Sequence, residues 1–363
     1  MSPASPATPV PPVPSVPPPA ASRSLPCAPD AIDDFLSAPT PGAIEALRSA
    51  PGPFAVLGAG GKIGLHLAVM IRRALDALGR TDRVLAVSRF STLRDRADFE
   101  SRGLETIACD LSDPAALAAL PDAPSVFFLA GVKFGTANDP ALLHRMNAVM
   151  PRLVAERFAR SRIVAFSTGC VYPFIRPETG GATEDVPPNP PGDYARSCLA
   201  RELAFADVSA RLGPPVTLLR LNYSVEFRYG VLVDIAQKVH AGLPVDVSTG
   251  FVNVIWQRDA VAHTIQSLGF ARTPAAPLNI TGAEILSVRE LAAAFGQKFS
   301  RAPVLVGAES ETAWLNNAAL SHRLFGLPAT PVATMIDWVA TWVQQSGASW
   351  GKPTGFESRD GKF

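Results

Sequence analysis

A glycine-rich turn at residues 54–64 constrains the fold more than any other part of this sequence. The apolar run Phe54–Leu57 stops there at three glycines spaced three apart, Gly58, Gly61 and Gly64, in the stretch FAVLGAGGKIG. This pattern is typical of a buried strand that turns sharply into a helix. In such a turn the first glycine permits the bend, the second lets a diphosphate approach the backbone, and the third lets the helix pack on the strand. The alternative is a tight strand–helix turn that binds no ligand.

Short apolar runs alternate with helical stretches from this turn to residue 221. The predicted strands read FAVLG, RVLAVS, GLETIA, SVFFLA, RIVAFS and VTLLRL, and the predicted helices span 62–79, 92–101, 113–120, 139–160 and 193–211. Near-continuous apolar strands that alternate with helices indicate a parallel sheet covered on both faces, the doubly wound or Rossmann class of α/β folds. Ligands of such folds bind at the carboxyl ends of the strands.

The composition predicts five parts of the chain. The first residues are rich in proline, alanine and serine and almost uncharged, so they cannot bury enough surface to become ordered. Beyond residue 222 the regular alternation changes to a mixed pattern of strands and helices. The predicted parts are a disordered proline-rich tail at 1–29, an N-terminal helical extension at 30–52, a Rossmann domain at 53–222, a smaller substrate-binding region at 223–345 and a C-terminal tail at 346–363.

The charge pattern and the cysteines limit the partners. The net charge is +1 and no basic run stands out, so no nucleic-acid partner is expected. No apolar run approaches the ~20 residues that cross a bilayer, so no membrane partner is expected either. Cys27, Cys109, Cys170 and Cys198 lie far apart, which favours free thiols in a reducing, cytoplasmic compartment. The expected partner is a small-molecule substrate. The histidines show no metal-ligand spacing, so no metal is expected.

The ends of the second and third strands carry the residues that would read the nucleotide. The second ends at Ser88 and Arg89, where an NAD site would place a carboxylate for the ribose hydroxyls. Arginine can instead pair with a 2′-phosphate, so the sequence favours NADP over NAD, unless Arg89 is an ordinary surface residue. The third strand ends at Asp110 and Leu111. Asp110 could accept a hydrogen bond from the adenine amine or serve only as a turn residue.

The fourth strand ends in the small residues Ala130 and Gly131, which would let the backbone lie against the cofactor ribose. Lys133 follows shortly after them. A lysine just past a strand is usually solvated, but here it could also reach the cofactor.

The fifth strand leads into a second group of motifs. It ends in Ser167-Thr168-Gly169-Cys170-Val171-Tyr172, and Tyr194 opens a helix soon afterwards. Together with the glycine triplet, Asp110-Leu111, the AGVK stretch and Asn147, these motifs fall in the order of the extended short-chain dehydrogenase/reductase family of NAD(P)-dependent epimerases and dehydratases. The sequence resembles that family from residue 54 to about residue 220, and more loosely to about residue 342. The resemblance implies the fold, the cofactor and a possible homodimer through the helices at 139–160 and 193–211, but not the substrate.

The same resemblance assigns roles to single residues. Thr168 would hold the oxygen of the substrate's hydroxyl or carbonyl group, and Tyr194 would donate or accept the proton. The positions that match cofactor contacts are Gly58, Gly61, Lys62, Ile63 and Gly64 in the phosphate loop, with Lys133 and Asn147 further on. The candidate substrate contacts are Asn222, Arg228, Tyr229 and Trp256, of which Arg228 and Trp256 could equally be packing or surface residues.

Cys198 departs from the family pattern. The catalytic pair of the family is Tyr-x-x-x-Lys, and Cys198 occupies the lysine position. Residues four apart share a helix face, so the missing lysine would have lain beside Tyr194 and favoured its ionised form. An unperturbed tyrosine has a pKa of about 10 and is therefore a proton donor near neutral pH. Cys198 itself is a less plausible nucleophile than a packing residue, because no histidine lies near it in the sequence.

Arg89 and Cys198 together favour reduction by NADPH. We therefore expect an NAD(P)-dependent oxidoreductase or epimerase-like enzyme that acts by hydride transfer on a sugar-like or hydroxyl- or carbonyl-bearing metabolite. The alternative is a protein that binds the dinucleotide without catalysis, as a sensor or scaffold, because the catalytic pair is incomplete.

Overall fold

A computed structural model describes residues 25–91, 93–132, 139–352 and 354–359. The predicted N-terminal extension holds a short 3₁₀ turn, Pro29–Ala31, and the helices α1 (Ile32–Leu36) and α2 (Pro41–Leu47). Of the predicted disordered tail, residues 1–24 lie outside the described residues. The prediction was wrong for its last part, because Leu25 and Cys27 pack against the C-terminal hydrophobic core.

The first half of the chain alternates strand and helix as predicted. Its elements are β1 (Phe54–Leu57), α3 (Gly64–Ala77), β2 (Val84–Ser88), α4 (Arg96–Glu100), β3 (Glu105–Ala108), α5 (Pro114–Ala118), β4 (Ser125–Phe128), α6 (Pro140–His144), α7 (Met150–Arg157), β5 (Arg162–Thr168), α8 (Asp193–Leu212) and β6 (Val216–Leu221). The single helix predicted at 139–160 is interrupted, because a π-helical segment, Arg145–Val149, separates α6 from α7. Short 3₁₀ turns follow β5 at Gly169–Val171 and Pro177–Thr179.

The second half combines short strands with longer helices. Its elements are β7 (Ser224–Val225), α9 (Val231–Ala241), β8 (Pro244–Asp246), β9 (Phe251–Val252), β10 (Ile255–Trp256), α10 (Gln257–Gln266), β11 (Ala276–Ile280), β12 (Leu286–Ser287), α11 (Val288–Phe299), β13 (Val304–Val306), α12 (Ala319–Phe325) and α13 (Val332–Gln344). The strands outside the main sheet pair two by two, as β7 with β10, β8 with β13 and β9 with β12.

Within the described residues the main sheet has seven strands in the order β11-β6-β5-β4-β1-β2-β3, and every neighbouring pair is parallel. The predicted doubly wound fold is therefore confirmed. The strand order reverses between β1 and β4, which places a crevice at the carboxyl ends of these two strands.

The boundary predicted at residue 222 does not close the Rossmann domain. Strand β11, from the region predicted to bind substrate, pairs with β6 over its whole length. Without β11, the outer edge of β6 would leave its backbone N–H and C=O groups unpaired. Helix α10 leads the chain back to this edge and packs Val261 and Ile265 into the same core as α3. The sheet is therefore completed by residues from beyond the predicted boundary.

A separate core joins the rest of the second half to both ends of the chain. Helices α9, α11 and α13 pack around Phe227 and Trp256, and α1 joins them through Leu36. The predicted C-terminal tail is also part of this core, because Phe356 is buried in it. The first and last described segments thus belong to the same hydrophobic core.

Among the residues that the structure describes, no helix combines the length and the apolar character needed to cross a membrane. No three His, Cys, Asp or Glu side chains come together there as a metal site would require. All four cysteines are free thiols.

Candidate active site

The three glycines in the turn between β1 and α3 differ in the space around them. A Cβ atom at Gly58, whose φ is +85°, would lie 2.6 Å from the backbone nitrogen of Ala130. At Gly64 it would lie 2.2 Å from the backbone oxygen of Ala59. At Gly61 the nearest atom would be 3.6 Å away, which is an ordinary contact. The chain's own packing therefore requires the first and third glycines, whereas the space over Gly61 is open for a ligand such as a diphosphate.

A cleft lies beside this turn, at the carboxyl ends of β1, β2, β3 and β4. It encloses about 180 Å³. The structure brings eight of the predicted cofactor residues to its walls: Gly58, Gly61, Ser88, Arg89, Asp110, Leu111, Ala130 and Gly131. These residues and the open space over Gly61 fit a dinucleotide laid across the strand ends.

The remaining predicted cofactor residues lie elsewhere. Lys62 and Ile63 face a second cavity on the other side of the turn. Gly64 is buried at the start of α3, and Asn147 lies behind the cleft. Lys133 is outside the described residues.

Arg89 and Asp110 flank the mouth of the cleft. The Arg89 side chain is 55% exposed, and its Nη1 lies 3.9 Å from Oδ2 of Asp110. Oδ1 of Asp110 accepts hydrogen bonds from the backbone nitrogen and the hydroxyl of Ser112, at 2.9 and 2.7 Å. These hydrogen bonds lower the pKa of Asp110. Asp110 thus serves as a turn residue and loosely pairs with an arginine that a ligand phosphate can still reach.

Asn147 anchors the tip of β4 to α8 and does not line the cleft. It lies in the π-helical segment and is fully buried. Its Oδ1 accepts hydrogen bonds from Val132 N at 3.1 Å and from Nη2 of Arg201 at 2.7 Å. Its Nδ2 donates to the Val132 carbonyl at 3.0 Å and to Oγ of Ser197 at 2.9 Å. Because its amide is used in this way, the predicted cofactor contact is corrected to a contact behind the strand tip.

A larger cavity adjoins the cleft and holds the predicted catalytic residues. It encloses about 320 Å³, and Thr168 and Tyr194 both line it. Thr168 ends β5, and its Oγ1 accepts a hydrogen bond from the backbone nitrogen of Cys170 at 3.2 Å. Tyr194 lies in the first turn of α8. The other predicted site residues that line this cavity are Lys62, Ile63, Asn222 and Tyr229.

The surroundings of Tyr194 keep its phenol protonated. Burial raises the pKa of Tyr194 well above its usual value, and the neighbouring Cys198 and Cys170 raise it further. Arg201 acts in the opposite direction and lowers it. The phenol also shares a hydrogen bond with Cys198. Tyr194 therefore keeps its phenol proton at neutral pH, and a nearby positive charge would be needed to stabilise its anion.

Cys198 is a packing residue beneath Tyr194. Its side chain is completely buried against Val171, Tyr172 and Ala182, and among the described lining residues it belongs to neither cavity. Burial raises the pKa of its thiol. A substrate in the cavity could not reach this sulfur, so the predicted place of Cys198 among the catalytic residues is corrected to a supporting one.

Arg228 does not face the cavity, which corrects its prediction as a substrate contact. Its Nη2 lies 2.7 Å from Oδ1 of Asp33, and its Nε lies 3.1 Å from Glu226. Its guanidinium stacks on the ring of Trp350, with 4.5 Å between the carbon and the ring centroid. Arg228 therefore joins the N-terminal extension to the C-terminal tail.

Trp256 is likewise corrected from a substrate contact to a core residue. It is 0% exposed and packs edge-on against Phe227 and Trp338, with centroid distances of 5.0 and 5.4 Å. Burial of this large ring fixes β10 beneath the cavity instead of exposing the indole to a ligand.

Asn222 and Tyr229 do line the cavity. Nδ2 of Asn222 donates to Oδ1 of Asn253 at 2.7 Å and to the carbonyl of Trp314 at 3.2 Å. The ammonium nitrogen of Lys62 lies 3.0 Å from the centroid of the Tyr229 ring. Burial raises the pKa of the Tyr229 phenol. Both residues thus present polar atoms within a largely buried wall.

The polar cavity residues that the sequence reasoning missed include Tyr223, Ser224, Gln257 and Thr354. Oγ of Ser224 is buried and has no hydrogen-bond partner among the residues that the structure describes. Ser224 follows β6 by three residues, and its place after a strand of the sheet is the only signal that could have pointed to it. Gln257 and Thr354 come from distant parts of the chain that carry no motif.

Comparison with known proteins shows the family and the fold of this chain. Residues 54–250 match the NAD dependent epimerase/dehydratase family. The fold is similar to that of UDP-glucose 4-epimerase from Thermus thermophilus in complex with NAD, with 21% identity, a TM-score of 0.64, and coverage of 79% of this chain and 97% of that one. The enzyme WbmG from Bordetella bronchiseptica, in complex with NAD and UDP, is similar at 19% identity and a TM-score of 0.66, covering 83% and 97%. UDP-glucose 4-epimerase from Thermotoga maritima, with UDP-glucose, is similar at 15% identity and a TM-score of 0.65, covering 81% and 99%. No curated protein matches the sequence.

Proposed function

Because this chain belongs to the NAD dependent epimerase/dehydratase family, we propose that it is an NAD(P)-dependent oxidoreductase that acts by hydride transfer at a hydroxyl- or carbonyl-bearing carbon of a sugar-like metabolite. One observation carries the proposal. Thr168 and Tyr194 line the same cavity, and that cavity adjoins the glycine turn through Lys62 and Ile63. The Tyr194 phenol from α8 and the Thr168 hydroxyl from the end of β5 thus lie in a cavity next to the cleft that would hold the dinucleotide.

Thr168 and Tyr194 have different roles at the substrate oxygen. A bound nicotinamide dinucleotide supplies the hydride donor or acceptor. Oγ1 of Thr168 accepts a hydrogen bond from Cys170 N, so its own proton is available to hold the substrate oxygen. Tyr194, kept neutral by burial, donates its proton to that oxygen during reduction. Since the phenol is the resting form, the residues favour reduction as the direction of turnover.

The cleft supports a preference for NADP. Ser88 and Arg89 stand at the end of β2, and the exposed Arg89 guanidinium has only a weak contact at 3.9 Å with Asp110. A 2′-phosphate would offer this arginine a shorter, charge-assisted pair. The two neighbouring structures in complex with NAD, from Thermus and Bordetella, are consistent with either dinucleotide here, because they share the fold at low identity.

The cavity wall supports a polyhydroxylated substrate. Residues from beyond 222 contribute the Ser224 hydroxyl, the Tyr229 phenol and the Gln257 amide to the wall that faces Thr168. These groups can donate to and accept from hydroxyls. The Thermotoga neighbour holds UDP-glucose. We therefore place a nucleotide sugar or a related keto sugar first among the candidate substrates, held by the predicted substrate-binding region.

The test combines binding with turnover. Calorimetric titration with NADPH and NADH should give a bound dinucleotide, with NADPH the tighter. Incubation with nucleotide sugars and keto sugars should then consume NADPH or interconvert the sugars, and Tyr194→Phe should remove this turnover while leaving dinucleotide binding in place. Binding without turnover across the whole panel would favour the sensor or scaffold alternative. No binding of either dinucleotide would reject both.

A homodimer through α7 and α8 is part of the same proposal. Leu203 on α8 is 61% exposed, and Val149, just before α7, is 42% exposed. Two exposed aliphatic side chains on neighbouring helices support a protein-facing surface there. Light scattering of the purified protein should give twice the monomer mass, and Leu203→Glu should return it to the monomer mass.

A further inference from the structure

A stripe along α8 carries a buried cation next to the proposed catalytic tyrosine. Tyr194, Cys198 and Arg201 stand at positions i, i+4 and i+7, so they share one face of the helix. Side chains on a helix lean towards its N-terminus, so the long Arg201 side chain extends back over the turn that holds Cys198. Arg201 is only 7% exposed.

The guanidinium of Arg201 lies directly behind the nucleotide cleft. Its Nη2 donates to Oδ1 of Asn147 at 2.7 Å, and its Nη1 donates to the carbonyl of Phe166 at 3.2 Å. A Cβ atom at Gly131 would lie 2.1 Å from Nη2, so the guanidinium touches the strand tip that lines the cleft. The Asn147 amide also bonds Ser197, which places the charge at the level of the turn where Cys198 lies.

Arg201 makes no ion pair with any residue that the structure describes, and its buried Nε has no hydrogen-bond partner among them. Arg220 shows the contrast. It is similarly buried, but its guanidinium binds Glu202 through two hydrogen bonds at 2.9 and 2.7 Å. A guanidinium keeps its charge at any physiological pH, and an uncompensated buried charge is costly. Arg201 would therefore be stabilised by a negative charge that arises nearby.

We propose that Arg201 supplies, from one turn further along α8, the positive charge that lysine supplies at position 198 in the family pattern. The inference rests on the proposed function, since the negative charge it answers is the Tyr194 oxygen after that phenol has given its proton to substrate. Arg201 is a positioning residue in this account. It stabilises the tyrosinate through space and holds Asn147 and Gly131 in place behind the cofactor.

The groups around Tyr194 support this assignment. Arg201 is the nearby group that lowers the pKa of Tyr194, against burial and both cysteines. Across the cavity lies one more cation, Lys62, whose ammonium sits over the Tyr229 ring. The titratable and charged groups that act on the Tyr194 phenol are Cys170 after β5 and Cys198 and Arg201 on α8. Lys62, Tyr223 and Tyr229 line the same cavity.

The first test needs neither cofactor nor turnover. A fluorinated tyrosine at position 194, whose phenol ionises at a lower pH than tyrosine, is titrated by ¹⁹F NMR in the dinucleotide-free protein. Arg201→Gln should raise the titration midpoint by about one pH unit or more, as expected when a nearby opposite charge is removed. Arg211→Gln is the matched control on the same helix, because Arg211 is 50% exposed and screened by solvent. An unchanged midpoint in Arg201→Gln would overturn the proposal.

A rescue variant separates charge from packing. Arg201→Gln/Cys198→Lys returns a cation to the family's position and should restore the midpoint of the parent protein. If Arg201→Gln alone does not fold, this double variant decides, because a midpoint well below the parent's would show that the new lysine adds a charge effect that Arg201 had not supplied, and would contradict the inference. In the loaded enzyme Arg201→Gln should lower kcat by about tenfold or more, and the double variant should recover it. If no dinucleotide binds, the proposed function fails, while the NMR titration still decides the role of Arg201.

Discussion

The cleft at the ends of β1 to β4 and the cavity that holds Thr168 and Tyr194 lie side by side at the same sheet, yet they are lined by different kinds of groups. The cleft is shaped mainly by backbone and small residues, such as Gly58, Gly61 and Gly131. The cavity is shaped by functional side chains, such as Thr168 and Tyr194. The cleft is also compact in sequence, with lining residues between 58 and 150, whereas the cavity draws residues from 62 to 354.

This difference indicates how each region should respond to change. A site made of backbone is sensitive to added volume and tolerant of lost functional groups. A site made of side chains is sensitive to the loss of a single atom that bonds the reacting group. The following predictions test this contrast, beginning with the largest expected effect.

Tyr194→Phe removes one oxygen atom from the cavity. We expect kcat to fall by about a thousandfold, which is typical when a proton donor is lost, with dinucleotide affinity unchanged. Tyr223→Phe is the matched control, because Tyr223 lines the same cavity and burial also raises its pKa well above the usual value. Steady-state kinetics of both variants make the comparison. Equal losses of kcat would show that the cavity does not single out Tyr194.

Gly61→Ala and Gly64→Ala add the same methyl group at two places in one turn. At Gly61 the methyl enters open space, so thermal stability should be unchanged while dinucleotide affinity falls by about tenfold or more through lost backbone hydrogen bonds. At Gly64 it meets the backbone of Ala59, and overpacking of this kind costs about 3 kcal/mol of unfolding free energy. Thermal melts and calorimetry distinguish the two. Tight dinucleotide binding by Gly61→Ala would contradict the placement of the diphosphate.

Arg89→Ala tests the one charged side chain by which the cleft would choose its ligand. Loss of a charge-assisted pair should weaken NADPH binding by about tenfold and leave NADH binding unchanged. Arg83→Ala serves as the control, because Arg83 is equally exposed but pairs with Glu105 at the start of its strand, away from the cleft. A parallel loss for both dinucleotides would remove the basis for an NADP preference.

Ser224→Ala deletes a buried hydroxyl that has no partner among the described residues. Removing one neutral hydrogen bond to substrate should raise KM by about threefold with little change in kcat. The alanine should leave the protein as stable as the parent or slightly more stable, because an unsatisfied polar atom is removed. A drop in kcat with unchanged KM would instead place Ser224 at the reacting carbon.

The contrast between the two regions also decides what sequence reasoning could find. Local patterns predicted the glycine turn, the alternation of strands and helices around it and the cleft residues, because the turn and the cleft residues lie directly after apolar strands. The π-helical segment reversed the expected role of Asn147, since one extra residue in the turn directs its amide towards Val132 and α8. The pattern of apolar residues in the sequence does not reveal this extra residue.

Contacts between distant segments account for the remaining errors. Arg228 looked like a ligand-binding residue until Asp33, far away in the sequence, was found beside it. Trp256 looked like a cavity aromatic, but three helices from the second half bury it. The lack of an ion pair at Arg201 among the described residues is also a property of the assembled fold, because the sequence alone does not show which side chains meet it.

The pairing of β11 with β6 has a consequence for how this protein unfolds. The outermost strand of the dinucleotide-binding sheet is contributed by the segment that also leads into the C-terminal core. Neither half should fold alone, because β11 completes the sheet of the first half and α1 packs in the core of the second. Heat or denaturant should therefore unfold both halves in a single cooperative transition. A substitution that destabilises the C-terminal core should then abolish dinucleotide binding, as should one that disrupts the glycine turn. Limited proteolysis should yield no stable fragment.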